Sequence, residues 1–122
     1  MTKPMLANAE LAVMEQLWRG ERLTARQIQE ALYGDASRAQ HGTVQKLLQR
    51  LEEKGFVERD RSLAVHFFSA SIGREAYACD ELESLAERLT GGSLAPLITQ
   101  LVEEKRLTRA EIRRLRRILE DA

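Results

Sequence analysis

The chain holds a single cysteine, Cys79, among its 122 residues. No intrachain disulfide can form, and such usage fits a reducing cytoplasm. No apolar run approaches the roughly 18 residues that a membrane span needs. The N-terminal segment has no signal-peptide core, so a cytoplasmic protein without membrane insertion is expected. Neither sign of charge is in excess, with 19 Lys plus Arg against 19 Asp plus Glu. Net charge therefore does not advertise a nucleic-acid partner. His41 and His66 are the only histidines, and with one cysteine they leave no cluster of zinc spacing. No nucleophile–base constellation and no glycine-rich phosphate loop is present. Neither a metal, nor a cofactor, nor catalysis is expected. After Tyr77 there is no aromatic residue at all, which argues against a ligand pocket in that half.

One further absence is local. Residues 36–51 contain Arg38, Lys46 and Arg50 but no acid, a local charge of +3 in a chain that is otherwise balanced. Val44, Leu47, Leu48 and Leu51 recur at i, i+3, i+4 and i+7, so one side of a helix is apolar. The opposite side carries Gly42, Gln45, Lys46 and Gln49, with Arg50 beside them. Amides and cations donate to base edges and phosphates, whereas a carboxylate there would be repelled. The nearest acids, Glu52 and Glu53, stand at the far end of the segment.

The rest of the chain supplies a context. A first helix is predicted from an Asn8 N-cap to Gly20, with Leu11, Met14, Leu17 and Trp18 facing inward. Thr24 and Gln27 form a capping box for a second helix, with Ile28, Ala31 and Leu32 inward and Gly34-Asp35 as its break. Gly55 closes the third helix. The period then changes. Phe56-Val57-Glu58-Arg59 and Val65-His66-Phe67-Phe68 read as strands of a small hairpin about Asp60-Arg61-Ser62, and residues 21–23 as a short extra strand. Residues 71–122 read as three more helices capped by Ser71, Ser93 and Thr108, each with an apolar stripe. Fifty such residues make only a marginal core alone. The fold class is thus mainly α with a small β-hairpin wing: a winged helix-turn-helix over 1–70, then an α-helical dimerisation arm over 71–122. Ile72, Cys79, Leu82, Leu89, Leu97, Leu101, Ile112, Leu115 and Leu119 are the candidate dimer contacts.

At this point the chain resembles the penicillinase-repressor and methicillin-resistance-repressor family, which also holds the copper-responsive repressors. Four stretches carry the resemblance: Leu11-Ala12-Val13-Met14-Glu15-Gln16-Leu17-Trp18, Leu23-Thr24-Ala25-Arg26-Gln27-Ile28, the run from Thr43 to Val57, and Gly92-Ser93-Leu94-Ala95-Pro96-Leu97. The resemblance implies a dimeric repressor on a palindromic operator of double-stranded DNA, released by an upstream signal. In β-lactam-responsive members that signal is proteolytic, with a membrane metallopeptidase as sensor. The pair aligned with their Asn-Phe scissile bond is Gln100-Leu101, a different pair at the retained position. The C-terminus lacks the cysteine-rich motif of the copper-responsive branch, and Gly42 stands where the family commonly has threonine.

Gln45 and Lys46 are the expected base readers. Arg38, Thr43 and Arg50 are expected on phosphates, and His41 in either role. Gln40 and Gly42, at the same helix start, are further candidate DNA contacts, and Arg59 and Arg61 on the wing are expected at the backbone or minor groove, or else in a merely solvated turn. His66 is expected to be structural and the Cys79 thiol buried. Arg113, Arg114, Arg116 and Arg117 are expected to be a solvated face paired with Glu103, Glu104 or carboxylates of the preceding helices. Two rival readings are a winged helix used only for protein interaction and a regulator released by a small-molecule ligand.

Overall fold

A computed structural model describes residues 5–34 and 38–122, with backbone alone at 38 and 39. The elements run α1 (Asn8–Arg19), β1 (Leu23–Thr24), α2 (Ala25–Tyr33), α3 (Arg38–Glu53), β2 (Val57–Asp60), β3 (Phe67–Ala70), α4 (Arg74–Thr90), α5 (Ala95–Glu103) and α6 (Arg109–Glu120). They fall into two compact units, residues 1–80 and 81–122.

The first unit is a winged helix. The α3 stripe of Val44, Leu47, Leu48 and Leu51 is buried against Val13, Met14 and Leu17 of α1 and Ile28 of α2. Burying each such aliphatic side chain contributes roughly 1.5–3 kcal/mol. Phe56, Val57 and Phe68 close the core from the sheet side. The sheet is antiparallel in the order β1-β3-β2, with Leu23 opposite Phe68 and Arg59 opposite Phe68 on the other edge. Thr24 and Gln27 form the expected capping box. Gly55 ends α3 at φ +83, where a side chain is strained, and Phe56 N–H donates to Leu51 O at 2.8 Å.

Several local expectations shift. Asn8 is the first helical residue rather than the cap; Ala7 precedes it, and Glu10 reaches back to accept from Ala7 N–H at 2.9 Å. The short strand lies at Leu23–Thr24, and β3 starts two residues later than its apolar run, because pairing with β1 and β2 centres on Phe67 and Phe68. The wing loop thereby lengthens to residues 61–66. Ser71 does not cap α4: the helix starts at Arg74, and Tyr77 N–H donates to Gly73 O. Trp18 Nε1 donates to Ile72 O at 2.9 Å, and Tyr77 Oη accepts from Leu6 N–H at 3.0 Å. Arg74 forms a two-pronged pair with Glu15, both contacts at 2.8 Å. Ile72 and Tyr77 thus pack with the first unit.

In the second unit, Gly91 and Gly92 take φ of +67 and +105 and stop α4. Ser93 is not the next cap; Leu94 is, with Pro96 in the first turn, and the Ser93 carbonyl accepts from the Thr90 hydroxyl. Thr108 and Glu111 form the expected capping box of α6. Neither α5 nor α6 contains a buried residue, and Ala86 is the one buried hydrophobic of this unit among the described residues. Leu82, Leu89, Ile98, Leu101, Leu115 and Leu119 are all exposed, Leu119 by 71%. Leu97 and Ile112 are half-buried. The Cys79 thiol is exposed rather than buried, as is Leu82 next to it on α4. No helix among the described residues is long and apolar enough to cross a membrane.

Candidate nucleic-acid interface

The free face of α3 follows from its buried one. Once Val44, Leu47, Leu48 and Leu51 turn inward, 3.6-residue periodicity leaves His41, Gly42, Lys46, Gln49 and Arg50 exposed, with Gln45 half-exposed at the margin. Thr43 is also exposed, and Gln40 is half-buried. The side chain of Arg38 lies outside the described residues. Lys46 makes no ion pair or hydrogen bond among the described residues. A Cβ on Gly42 would meet nothing within 4 Å, so the protein interior does not demand glycine there.

The carboxylates around this face each have a side-chain partner. Glu52 holds both wing cations, Arg59 at 3.4 Å and Arg61 at 3.1 Å. Glu53 accepts from Gln49 at 3.3 Å. Glu10, with a side chain only 3% exposed, accepts Lys54 Nζ at 2.8 and 2.9 Å. Burial pushes the Glu10 carboxyl up, but the Lys54 hydrogen bond, the Ala7 amide and the charges of Lys54 and Arg50 outweigh it, and its pKa is lowered. Glu10 and Lys54 therefore couple the start of α1 to the residue just after α3. This pair was not foreseen, because 44 residues separate its members and nothing in either local pattern links them.

A groove of about 330 Å³ opens between α3 and the wing. His41 and Gln45 line it from α3, Thr24 and Arg26 from the start of α2, and Ala64, Val65 and His66 from the wing loop. The structure thus brings three expected residues, His41, Gln45 and Arg59, together with Arg26 and His66, which carried no functional expectation. No spacing in the sequence flags them; the β1–β3 pairing brings them in. Arg59 and Arg61 differ in exposure: the Arg61 side chain is 58% exposed and the Arg59 side chain is not. The Arg59 guanidinium lies 4.7 Å above the Phe68 ring, its Nε is buried without a partner, and its side chain is 17% exposed. Its charge is turned inward.

In the second unit, Gln100 and Leu101 are exposed on α5. An apolar groove of about 350 Å³ runs between α5 and α6, lined by Ile98, Val102, Ile112, Leu115 and Leu119. Arg113, Arg114, Arg116 and Arg117 form no ion pair among the described residues, and Glu104 pairs instead with Arg106 at 3.4 Å. Among the described residues no group of three or more His, Cys, Asp and Glu is placed to hold a metal.

Comparison with known proteins agrees with this architecture. The profile of the penicillinase repressor family matches residues 6–121. The chain is 26% identical over 118 residues to the penicillinase repressor of Bacillus licheniformis, spanning 97% of this chain and 91% of that protein. It is also 26% identical over 118 residues to the penicillinase repressor of Staphylococcus aureus, spanning 95% and 91%. The solution structure of the DNA-binding domain of the repressor BlaI matches with a TM-score of 0.50 at 23% identity, over 63% of this chain and 94% of that one, and shares the winged-helix fold. With the match running almost from end to end, the chain belongs to the penicillinase repressor family.

Proposed function

We propose that this protein is a cytoplasmic transcriptional repressor, not an enzyme, that binds a palindromic operator as a homodimer. One observation carries the DNA reading: the exposed face of α3 holds Lys46 and Arg50 but no acid, while Glu10, Glu52 and Glu53 around it are each held by another side chain. Gln45 and Lys46 read base edges in the major groove. Arg38, Thr43 and Arg50 grip phosphates, and Gln40, His41 and Gly42 border the helix start where the duplex comes closest. Arg59 and Arg61 belong to the hairpin wing of the same contact set, with their guanidinium groups held beside Glu52 in the absence of DNA. The names of the relatives, both repressors, support the same reading.

Dimerisation is supported by the second unit, whose α5 and α6 contain no fully buried residue. Leu82, Leu89, Leu97, Leu101, Ile112, Leu115 and Leu119 are the contacts we assign to a second copy. Cys79 lies beside them, and Ile72 serves the interface only indirectly through the start of α4. Each half-site alone is bound weakly, because a monomer lacks the effective concentration that a dimer supplies. Release is by cleavage at Gln100-Leu101, with a membrane metallopeptidase as sensor. A cut there separates α6 from the rest and strips apolar surface from the interface without touching α3.

A mobility shift with duplex fragments of the DNA upstream of the protein's own coding sequence tests the reading. A discrete complex is expected with one fragment, lost in Lys46→Ala. Equal retention of all fragments by both proteins contradicts it.

A further inference from the structure

Both wing cations, and Arg22 beside them, have a carboxylate within ion-pair distance. Arg22 pairs with Asp60 at 3.5 Å and lies 4.2 Å above the Phe67 ring. Arg59 and Arg61 both rest on Glu52. Asp60 also accepts from Ser62 N–H at 2.9 Å and from Ser62 Oγ at 2.6 Å, which fixes the start of the loop. Beyond Ser62 the loop presents Leu63, Ala64 and Val65, all exposed, Leu63 by 56% and Val65 by 57%. No described residue of the first unit buries them. Ala64 and Val65 also line the groove shared with His41 and Gln45 of α3, so this apolar tip is continuous with the face assigned to DNA.

Duplex DNA offers apolar surface beside its charges, in the sugar walls of the minor groove and in its base steps. We propose that Leu63 and Val65 pack against the sugar walls of the minor groove next to the site read by α3, so that the wing tip binds by apolar contact rather than by charge. The proposal rests on the DNA reading above and adds to it the kind of contact that the wing makes. Binding of this kind releases no counterions, so its contribution is insensitive to salt.

The test uses the full-length protein and a fluorescent duplex that the wild type selects from a random-sequence pool. Binding is followed by anisotropy over a series of potassium chloride concentrations. Leu63→Asn combined with Val65→Asn is expected to bind about tenfold more weakly, with an unchanged slope of log affinity against log salt. Leu63→Lys is expected to steepen that slope by about one unit, because it adds a cation beside the backbone. Tip variants that bind within twofold of wild type, or a Leu63→Lys slope identical to wild type, would overturn the proposal. So would a double variant whose loss follows from altered sedimentation of the free protein, which would make the tip a protein contact. If the wild type selects no duplex, the DNA reading itself fails; duplex selected by a protein indifferent to its tip overturns the wing assignment alone.

Discussion

Lys54 and Glu10 meet at 2.8 Å, joining the residue just after α3 to the first turn of α1. The contact sets where α3 ends relative to the core, and Gly55 follows it at once. Lys54→Met leaves a nearly buried carboxylate without its cation. It should cost on the order of 2–3 kcal/mol in urea unfolding. Glu10→Gln combined with Lys54→Met should recover part of that loss, because no isolated charge then remains.

The same pair predicts a pH dependence. The native pKa of Glu10 lies below its ordinary value of 4.5, so in that interval the unfolded chain binds more protons. The pair's contribution is full above the ordinary value and disappears as pH falls through the lowered native one. The stability difference between wild type and Lys54→Met should therefore shrink as pH falls from above 4.5 through the lowered native pKa. A difference that is constant or grows toward acid would contradict the pairing.

Gly42 should separate stability from function. Its Cβ position is open, and a helical glycine costs roughly 0.5–1 kcal/mol against alanine. Gly42→Ala should raise thermal stability by about that much. If the glycine serves close approach of the duplex, the more stable variant should bind DNA more weakly. Melting and anisotropy on one preparation check both halves.

Glu52 is the acid that masks the wing. Glu52→Gln should release Arg59 and Arg61 and steepen the salt dependence of DNA binding by about one unit per freed cation that reaches a phosphate. It should also cost about 1–3 kcal/mol of stability, because Arg59 and Glu52 are only 17% and 27% exposed and the Arg59 guanidinium loses its charged partner.

Much of this architecture is legible in the residues themselves. The α3 stripe has the helical period, both capping boxes have their Thr and Gln or Glu partners, and the acid-free stretch needs only a list of charges. What was not legible depends on pairs far apart. β3 starts late because its register is set by two neighbours, β1 and β2, not by its own apolar run. Ile72 and Tyr77 join the first unit through Trp18 and Leu6, contacts that no local pattern announces. The pairing of Arg59 and Arg61 with Glu52 has no local signal, because Glu52 belongs to the end of another element.

Replacing Leu115 and Leu119 on the α5–α6 groove by glutamate should convert a dimer to a monomer in sedimentation velocity at micromolar concentration. Apolar faces of this kind cannot accept charge in an interface. A wild-type protein that sediments as a monomer would remove the basis of the arm's assignment.

The most direct test of the whole account is selection of duplexes from a random-sequence pool by the full-length protein, followed by sequencing. The account predicts enrichment of an inverted repeat whose half-sites lie one or two helical turns apart, about 10 or 21 base pairs between centres. Lys46→Ala should relax one position in each half-site. Enrichment of a single unrepeated element, or of no sequence at all, would contradict it.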